Sequence, residues 1–342
     1  MLLGTWNLEN LYRPGGEFGP RDKAAYEAKL SALAETVRAL RPSLLGVQEV
    51  GDPAALADLA GMLDGHWRTA VSEHADSRGI RVGFLSRLDL EVLADVETFP
   101  AKLRPVQGDD AGTPVATTGR GLFAVRIVTR ALTVDAAVCH LKSKLLTYPG
   151  GRFQPRDEGE RARVGAYALY RRTAEAATLR ALADRLLGGA GLDRDVVVLG
   201  DLNDEVAAAT TQILLGPPGS ELGTPGHGRP DKGDATRLWN VAPLIPAERR
   251  FSRVNFGRRE LIDHVLTSHR LTGRVTADGE AGTGLPDAAG LDLLRTTATR
   301  LLAGRPADMN ATVRLTERIA DLLVADPAQA LLRFGRRRVG RG

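Results

Sequence analysis

The sequence predicts an α+β or mixed α/β fold, because buried-strand patterns alternate along the chain with amphipathic helices. Residues 196–199 are four consecutive aliphatic residues, which is typical of a strand buried on both faces. Residues 22–40 place apolar side chains at helical spacing, and Arg41-Pro42 ends that helix. The chain has 342 residues, 43% hydrophobic and 26% charged, so it can enclose a substantial core.

The N-terminal part of the chain alternates strands with two helices. Residues 2–8 form the first apolar run, and a Gly/Pro-rich turn at residues 13–16 separates it from the helix at 22–40. A second apolar run follows that helix. Further strands and one short helix complete this part: we predict strands at residues 44–50, 67–71, 80–86 and 90–99 and a helix at 54–63.

The central part of the chain is predicted to be a hairpin followed by a long helix. Residues 107–118 are rich in Gly, Asp, Thr and Pro, which indicates a loop. Two strand-like runs, at residues 121–128 and 131–139, form the hairpin. After a polar loop at 145–160, apolar side chains at helical spacing predict a helix at about residues 161–187.

The C-terminal part changes in composition. A helix is expected at residues 205–215, a Gly/Pro-rich loop at 216–232 and a strand at 260–266. Residues 287–342 are rich in Ala, Leu and Arg, and their leucines recur at helical spacing. Five arginines lie between residues 333 and 341. They would contact a nucleic-acid backbone or form a solvated basic tail.

The string Gly200-Asp201-Leu202-Asn203-Asp204 carries the strongest functional signal. Asp201 and Asn203 stand at i and i+2 after the buried strand, and alternate residues of a strand share a face. Carboxylate oxygens and amide donors at a strand end suit a hard divalent cation and a phosphate. A simple turn stabilised by the Asp side chain is the alternative.

Four other predicted strands deliver polar residues to their ends. Asn7 lies at the end of the first strand and Glu49 near the end of the second. His140 comes directly after the second strand of the hairpin, and the last strand carries Asp263. A single buried polar side chain is usually a satisfied member of the core. Together with Asp201, the four residues predict a common site.

These motifs resemble the endonuclease/exonuclease/phosphatase superfamily. The matching pieces occur in the family's order over residues 1–270: Trp6-Asn7, Gln48-Glu49, Phe84-Leu85-Ser86, His140 with Lys142-Ser143, Gly200-Asp201-Leu202-Asn203 and Leu261-Ile262-Asp263. The resemblance implies a four-layer α/β/β/α sandwich with two packed mixed sheets. The family domain would cover residues 1–275, and residues 276–342 would form an atypical helical, basic segment.

The expected chemistry is metal-assisted hydrolysis of a phosphodiester. Glu49 is the best metal ligand, because a carboxylate at a strand end suits Mg²⁺, with Mn²⁺ as an alternative. Asn7 would assist through its carbonyl oxygen or through a water. By resemblance, an aspartate after the last core strand also contributes to the metal site, and Asp308 is the remaining candidate for it.

The other predicted site residues would handle the water and the phosphate. By resemblance, Asp201 positions or deprotonates the attacking water and Asn203 donates to a phosphate oxygen. His140, if protonated, can stabilise the developing negative charge. Lys142 and Ser143 would bind flanking phosphates.

The sequence departs from the family pattern at its C-terminal end. The family carries a Ser-Asp-His motif whose histidine acts at the phosphorus and is oriented by the residue that corresponds to Asp263. Here the nearest string is Ala307-Asp308-Met309, and no histidine follows His269. His264 is one replacement, although adjacent strand residues point to opposite faces. Otherwise the terminal segment has diverged with weakened catalysis, or it derives from an altered reading frame or a gene fusion.

The leading interpretation is a Mg²⁺-dependent phosphodiesterase, an endonuclease or exonuclease acting on nucleic acid. A net charge of +4 suits a polyanion, and an aromatic content of 5% favours backbone contacts over base reading. A phosphatase or phosphodiesterase for a lipid or small phosphoester is one alternative, although the sequence shows no apolar hairpin for membrane docking. A catalytically weakened binding protein on the same scaffold is the other.

Cysteine content and hydropathy bound the cellular context. Cys139 is the only cysteine and lies in a predicted strand, which excludes an intramolecular disulfide framework. Met1 leads almost directly into a strand, so we expect no signal peptide. No run of about 18 apolar residues predicts a membrane span. A cytoplasmic location is therefore expected.

Overall fold

Two six-stranded mixed sheets packed face to face form the centre of the molecule. The structure is a computed structural model that describes residues 1–278, 280–283 and 330–333. The first sheet has the order β15-β16-β1-β2-β4-β3. Its strands are β1 (Leu2–Leu11), β2 (Leu44–Val50), β3 (Arg68–Val71), β4 (Arg81–Ser86), β15 (Glu280–Thr283) and β16 (Ala330–Arg333).

The second sheet has the order β11-β14-β10-β9-β8-β5. Its strands are β5 (Glu91–Thr98), β8 (Thr117–Val128), β9 (Thr133–His140), β10 (Asp195–Asp201), β11 (Trp239–Asn240) and β14 (Asp263–Thr267). Two small hairpins lie outside both sheets: β6 (Val106–Gln107) with β7 (Pro114–Val115), and β12 (Arg253–Asn255) with β13 (Arg258–Glu260).

Helices cover the outer face of each sheet. The described helices are α1 (Lys23–Leu40), α2 (Pro53–Gly61), α3 (Glu158–Leu187), α4 (Ala209–Gln212), α5 (Pro225–Gly228) and α6 (His269–Asp278). The side chain of Asp22 caps α1 by accepting from Ala25 N at 2.8 Å. Asp157 caps α3 in the same way, with Glu160 N at 2.7 Å. Each cap satisfies an amide that the first helical turn leaves unpaired.

Three apolar clusters separate the four layers. Leucines of α1 and α2 pack on the first sheet, and α3 packs on the second. Between the sheets, the rings of Phe84 and Phe123 lie 6.1 Å apart. A Cβ on Gly46 would fall 2.1 Å from Leu199 Cδ1, so glycine there allows the close approach of the sheets. The resulting α1α2/sheet/sheet/α3 order confirms the predicted α/β/β/α sandwich.

Most predicted elements lie where the sequence placed them, but two regions differ. The helix expected at residues 205–215 reduces to the four residues of α4, because Asp204 and its partners hold the preceding segment as a loop. The helical prediction is wrong for residues 330–333, which form β16 against β1. With β15 and β16, the first sheet takes in chain beyond residue 275. Asp308 and the other residues predicted as helical at 284–329 and 334–342 lie outside the described residues.

Within residues 1–278, 280–283 and 330–333, no helix combines the length and the apolar character needed to cross a bilayer.

The backbone at Gly200 provides a stability test. Its φ is +143°, and a Cβ there would fall 2.1 Å from Cys139 O. We expect Gly200→Ala to lower the free energy of unfolding by about 2–4 kcal/mol, because the neighbouring strand backbone must shift. Gly61→Ala, at an open position in α2, should instead raise it by about 0.5–1 kcal/mol. Urea unfolding followed by circular dichroism measures both, and equal effects of the two variants would contradict this account.

Candidate active site

A row of three ionisable side chains crosses the second sheet at its polar end. Strand pairing places Asp201 of β10 beside His140 of β9 and opposite Asp263 of β14. Directly paired residues on neighbouring strands share a face, so the three side chains point toward the first sheet. All three are buried, and His140 Nε2 lies 3.4 Å from Asp201 Oδ2. The structure thus brings together three of the predicted catalytic residues.

The first sheet adds Asn7 and Glu49 to this row. Asn7 Nδ2 donates to Glu49 Oε1 at 3.1 Å and to Asp201 Oδ2 at 3.3 Å. The Asn7 carbonyl oxygen accepts from Glu9 N at 2.9 Å. Asn7 therefore bridges two carboxylates with its amide group, whereas we predicted that it would assist a metal through its carbonyl oxygen or through a water.

A bulge between β1 and β2 aims these side chains. Asn7 pairs with Gln48 and Leu11 pairs with Val50, so the two strands have unequal lengths in between. Glu9, Asn10 and Glu49 have φ values of 51°, 58° and 59° within the bulge. Lys29 of α1 donates to the backbone carbonyl of Glu9, and Asn10 N donates to Glu49 Oε2 at 2.9 Å.

Left-handed backbone is concentrated at this site. Of the six non-glycine residues with positive φ in the described part of the chain, three are in the bulge and a fourth is Asn203, at 53°. Such conformations are unfavourable and tend to cluster at functional sites, where they fix side-chain directions. The local strain therefore supports a functional role for this corner of the sandwich.

Asn203 reaches the site from a loop. We expected it to share a strand face with Asp201, but β10 ends at Asp201 and the left-handed backbone turns the chain. Asn203 N donates to Asp201 Oδ1 at 2.8 Å, and Asn203 Nδ2 donates to Leu141 O at 3.0 Å. An amide nitrogen carries two hydrogens, so one donor remains for a ligand.

Burial moves the protonation equilibria of the row. It raises the pKa of Asp201 to about 6. It also raises the pKa of Asp263 well above its usual range, with repulsion from Asp201 as the next cause. Asp263 Oδ1 has no hydrogen-bond partner among the described residues. Burial, and then the positive charge of Arg120, lower the pKa of His140 well below its usual value. The site thus favours a neutral imidazole over the protonated one that was expected.

His264 lies on the opposite face of the sheet. It pairs with Gly200, one position away from the row, and is buried against the α3 side. Its Nε2 is 2.8 Å from Asp204 O, and its Nδ1 is 3.1 Å from Asn240 Nδ2. Both ring nitrogens are occupied, and burial lowers the pKa of His264 to about 4. The structure does not bring His264 into the site.

No other histidine takes the place that His264 leaves open. All six histidines of the sequence lie within residues 1–278. His66 contacts Arg68, His74 lies 3.1 Å from Glu97, and His227 and His269 flank the Trp239 ring. The site therefore contains one imidazole, that of His140.

Lys142 and Ser143 lie beside the row on the loop after β9. Lys142 Nζ donates to the carbonyl oxygens of Ser143 and Leu145, each at 3.1 Å. Its backbone amide donates to the Glu175 carboxylate. Burial and then the charge of Arg171 lower the pKa of Lys142 to about 8. The ammonium stabilises its own loop here, so phosphate binding by the pair stays a prediction.

Sequence reasoning missed the arginine that faces the row. Arg120, near the start of β8, forms an ion pair with Asp76 at 3.3 Å, and its buried Nε has no partner among the described residues. Its charge acts on both His140 and Asp201. The glycines on either side of Arg120 were the signal in the sequence, because they indicate a point where the chain packs too closely for a Cβ. A Cβ on Gly121 would fall 1.9 Å from Ser72 Oγ.

The donor set fits a hard divalent cation that keeps part of its water shell. The carboxylates of Glu49 and Asp201 converge on the Asn7 amide. The sequence did not point to Glu9, a half-buried carboxyl group nearby whose pKa is raised to about 7, mainly by burial. Within the described ranges, no three His, Cys, Asp or Glu side chains converge closely enough to enclose a metal. Mg²⁺ commonly binds through one or two carboxylates plus water and phosphate oxygens.

The chain belongs to the Endonuclease/Exonuclease/phosphatase family, whose sequence model matches residues 4–285. Members of this family hydrolyse phosphoester bonds, so the chain has the scaffold of a phosphoester hydrolase. The motif resemblance is therefore confirmed at the level of the family.

Solved structures support the same fold. Truncated TDP2 from Caenorhabditis elegans is 13% identical, with 98% of this chain and 97% of that chain covered at a TM-score of 0.50. A family member from Bacteroides vulgatus is also 13% identical, with 97% and 98% covered and the same TM-score of 0.50. Identities this low establish the fold alone. No curated protein matches the sequence.

The two buried histidines should differ in what they contribute to stability. His264→Leu leaves Asn240 Nδ2 and Asp204 O without a partner, so we expect it to lower the free energy of unfolding by about 2–4 kcal/mol. His140→Leu should change it by less than about 1 kcal/mol, because one His140 nitrogen already has no partner. Urea unfolding without added metal distinguishes the two. A larger loss for His140→Leu would show that His140 is structural.

Proposed function

We propose that the protein is a divalent-metal-dependent phosphodiester hydrolase that acts on nucleic acid, as an endonuclease or an exonuclease. The observation that carries this proposal is the row His140–Asp201–Asp263 joined through Asn7 to Glu49. This row would supply a proton acceptor, an imidazole, an amide donor and a carboxylate for a cation within one corner of the sandwich.

Glu49 would hold Mg²⁺ or Mn²⁺ at the edge of the row, with Asp201 close by through the shared Asn7 amide. When bound, the cation would neutralise phosphate charge and stabilise the leaving oxygen. Asn7 would act as a spacer that fixes both carboxylates rather than as a ligand.

Asp201 is the proposed acceptor of the proton from the attacking water. Its pKa of about 6 leaves most of the carboxyl groups ionised above pH 7, yet basic enough to take a proton. Neutral His140, with Nε2 3.4 Å from Asp201 Oδ2, would help to orient that carboxylate. The new bond joins the water oxygen to phosphorus, the bond from phosphorus to the leaving oxygen breaks, and the water proton goes to Asp201.

Two groups would bind the phosphate oxygens. The second N–H of Asn203 is available, and the Arg120 guanidinium lies close enough to the row to depress the pKa of His140. Donors fixed beforehand at the position of developing charge stabilise the transition state most effectively.

A nucleic-acid substrate is supported by charge rather than by base recognition. The chain carries a net charge of +4, and Arg78 and Arg120 both lie close enough to act on His140. Such contacts favour a phosphate backbone. Cleavage of plasmid DNA, compared with sphingomyelin and with a small phosphomonoester, would identify the substrate class.

Loss of the carboxylates should abolish turnover. We expect Glu49→Gln and Asp201→Asn each to lower kcat on bis(p-nitrophenyl) phosphate with Mg²⁺ or Mn²⁺ by about 10²–10⁴-fold. Glu91→Gln, at an exposed position on β5, is the matched control and should retain full activity. Full activity in both site variants would refute the proposed site. A folded wild-type protein that binds oligonucleotides without metal-dependent turnover would support the binding-protein alternative.

Arg120 provides a second test. Removing a guanidinium that binds a phosphate should lower kcat/KM on an oligonucleotide by about 10–100-fold in Arg120→Ala. Arg130→Ala, in the exposed turn between β8 and β9, should leave kcat/KM unchanged. Equal effects in both variants would mean that net charge alone is responsible.

A further inference from the structure

The hairpin of β12 and β13 presents an isolated phenylalanine at its tip. Asn255 pairs with Arg258, so Phe256 and Gly257 form a two-residue turn. The Phe256 side chain is 99% exposed, the highest value among the exposed large hydrophobic residues of the described chain. Nothing in the described fold packs against it.

The backbone makes this phenylalanine more unusual. Phe256 has φ of 46° and Gly257 has φ of 76°, the positive values of a type I′ turn. Asn, Asp and Gly are the residues that this turn favours, whereas a bulky residue at positive φ is an outlier. The protein therefore keeps Phe256 despite an unfavourable conformation and full contact with water, and the fold gains no packing from it.

Basic side chains flank the tip. Residues 253–260 contain three arginines and one glutamate. Arg253 pairs with Glu260 at 2.6 Å, and Arg259 stacks over Phe251 with Cζ 4.7 Å from the ring centroid. The Arg258 side chain is exposed and has no hydrogen-bond or ion-pair partner in the part of the chain that the structure describes.

The hairpin is attached directly to the active-site row. At its base, Ser252 Oγ accepts from Asp263 N at 3.1 Å and from Ile262 N at 3.0 Å. Lys144, which pairs with Asp204 at 2.9 Å, lies close enough to the hairpin to lower the pKa of Glu260. Three residues of extended chain lie between the base and the tip, and the four steps from Ser252 to Phe256 reach about 13 Å. At the stacked spacing of about 3.4 Å per nucleotide, this reach equals about four nucleotides.

We propose that this hairpin binds single-stranded nucleic acid beside the cleavage site, with Phe256 stacked on an unpaired base and Arg258 on a neighbouring phosphate. The proposal rests on the proposed function for its substrate class. An aromatic ring and guanidinium groups on one hairpin match the two faces of a single strand, its bases and its backbone. Docking to a membrane is the less suitable alternative, because one phenylalanine buries too little apolar surface to anchor a protein.

The test separates binding from catalysis. Affinity for a fluorescein-labelled single-stranded 12-mer is measured by anisotropy in EDTA, and turnover is measured on bis(p-nitrophenyl) phosphate. Phe256→Ala should weaken 12-mer binding by about 5–100-fold and leave turnover of the small diester unchanged. Phe256→Trp should retain binding, and its fluorescence should be quenched by the oligonucleotide. Val128→Ala and Arg130→Ala, exposed at the opposite end of the second sheet, are the controls.

A stability measurement distinguishes a binding role from a structural one. Phe256→Asn should raise the midpoint of thermal unfolding, because asparagine tolerates positive φ, while it weakens binding to the 12-mer. Unchanged affinity in Phe256→Ala overturns the proposal, as does stronger dependence on Phe256 for duplex DNA or for phosphatidylserine vesicles. If the wild-type protein does not hydrolyse the small diester, the proposed function is refuted. The binding measurement then still decides whether the hairpin binds single-stranded nucleic acid.

Discussion

The side-chain amide of Asn7 joins the two sheets where their negative charge is most concentrated. Its Nδ2 lies 3.1 Å from Glu49 on the first sheet and 3.3 Å from Asp201 on the second. Two neighbouring carboxylates repel each other, and one amide nitrogen with two hydrogens can satisfy an oxygen of each. The bulge in β1, the left-handed backbone at Glu49 and the hydrogen bond from Glu9 N all serve to hold that amide in place. A cation beside Glu49 would supply the positive charge that the neutral Asn7 amide lacks.

The buried polar groups of the site lower the stability of the fold. Burial is the main cause that raises the pKa of both Asp201 and Asp263. Repulsion from Glu49 adds to the rise at Asp201, and repulsion from Asp201 adds to the rise at Asp263. Asp263 Oδ1 and His140 Nδ1 have no partners within residues 1–275. Unpaired buried polar atoms lower stability, and proteins retain them where they bind a ligand or react. His264, one row away, shows the contrast, since both of its nitrogens are satisfied.

The sequence predicted the strands better than the side-chain directions. A short apolar run such as residues 196–199 is compatible with few structures other than a buried strand. The four-layer sandwich was predicted from the family's order of motifs. The period of two also correctly warned that Asp263 and His264 face opposite sides. It failed for Asn203, because the strand ends at Asp201 and a left-handed residue follows. Arg120 and Phe256 were missed because burial of an arginine and exposure of a phenylalanine depend on tertiary contacts. The strand at residues 330–333 was missed because its pairing with β1 spans most of the chain.

Because the site contains one histidine, the proposed mechanism assigns proton transfer to a carboxylate. Every histidine of the chain is accounted for, and only His140 meets the row. Its pKa is depressed, so at neutral pH the imidazole carries no charge to share with a phosphate. The positive charge must come from elsewhere, and Arg120 is a permanent source whose charge acts on both His140 and Asp201. In the proposed mechanism Asp201 accepts the water proton in place of a second imidazole, and its pKa of about 6 suits that role near neutral pH. The burial that disfavours folding of this corner is therefore the same property that makes Asp201 more basic.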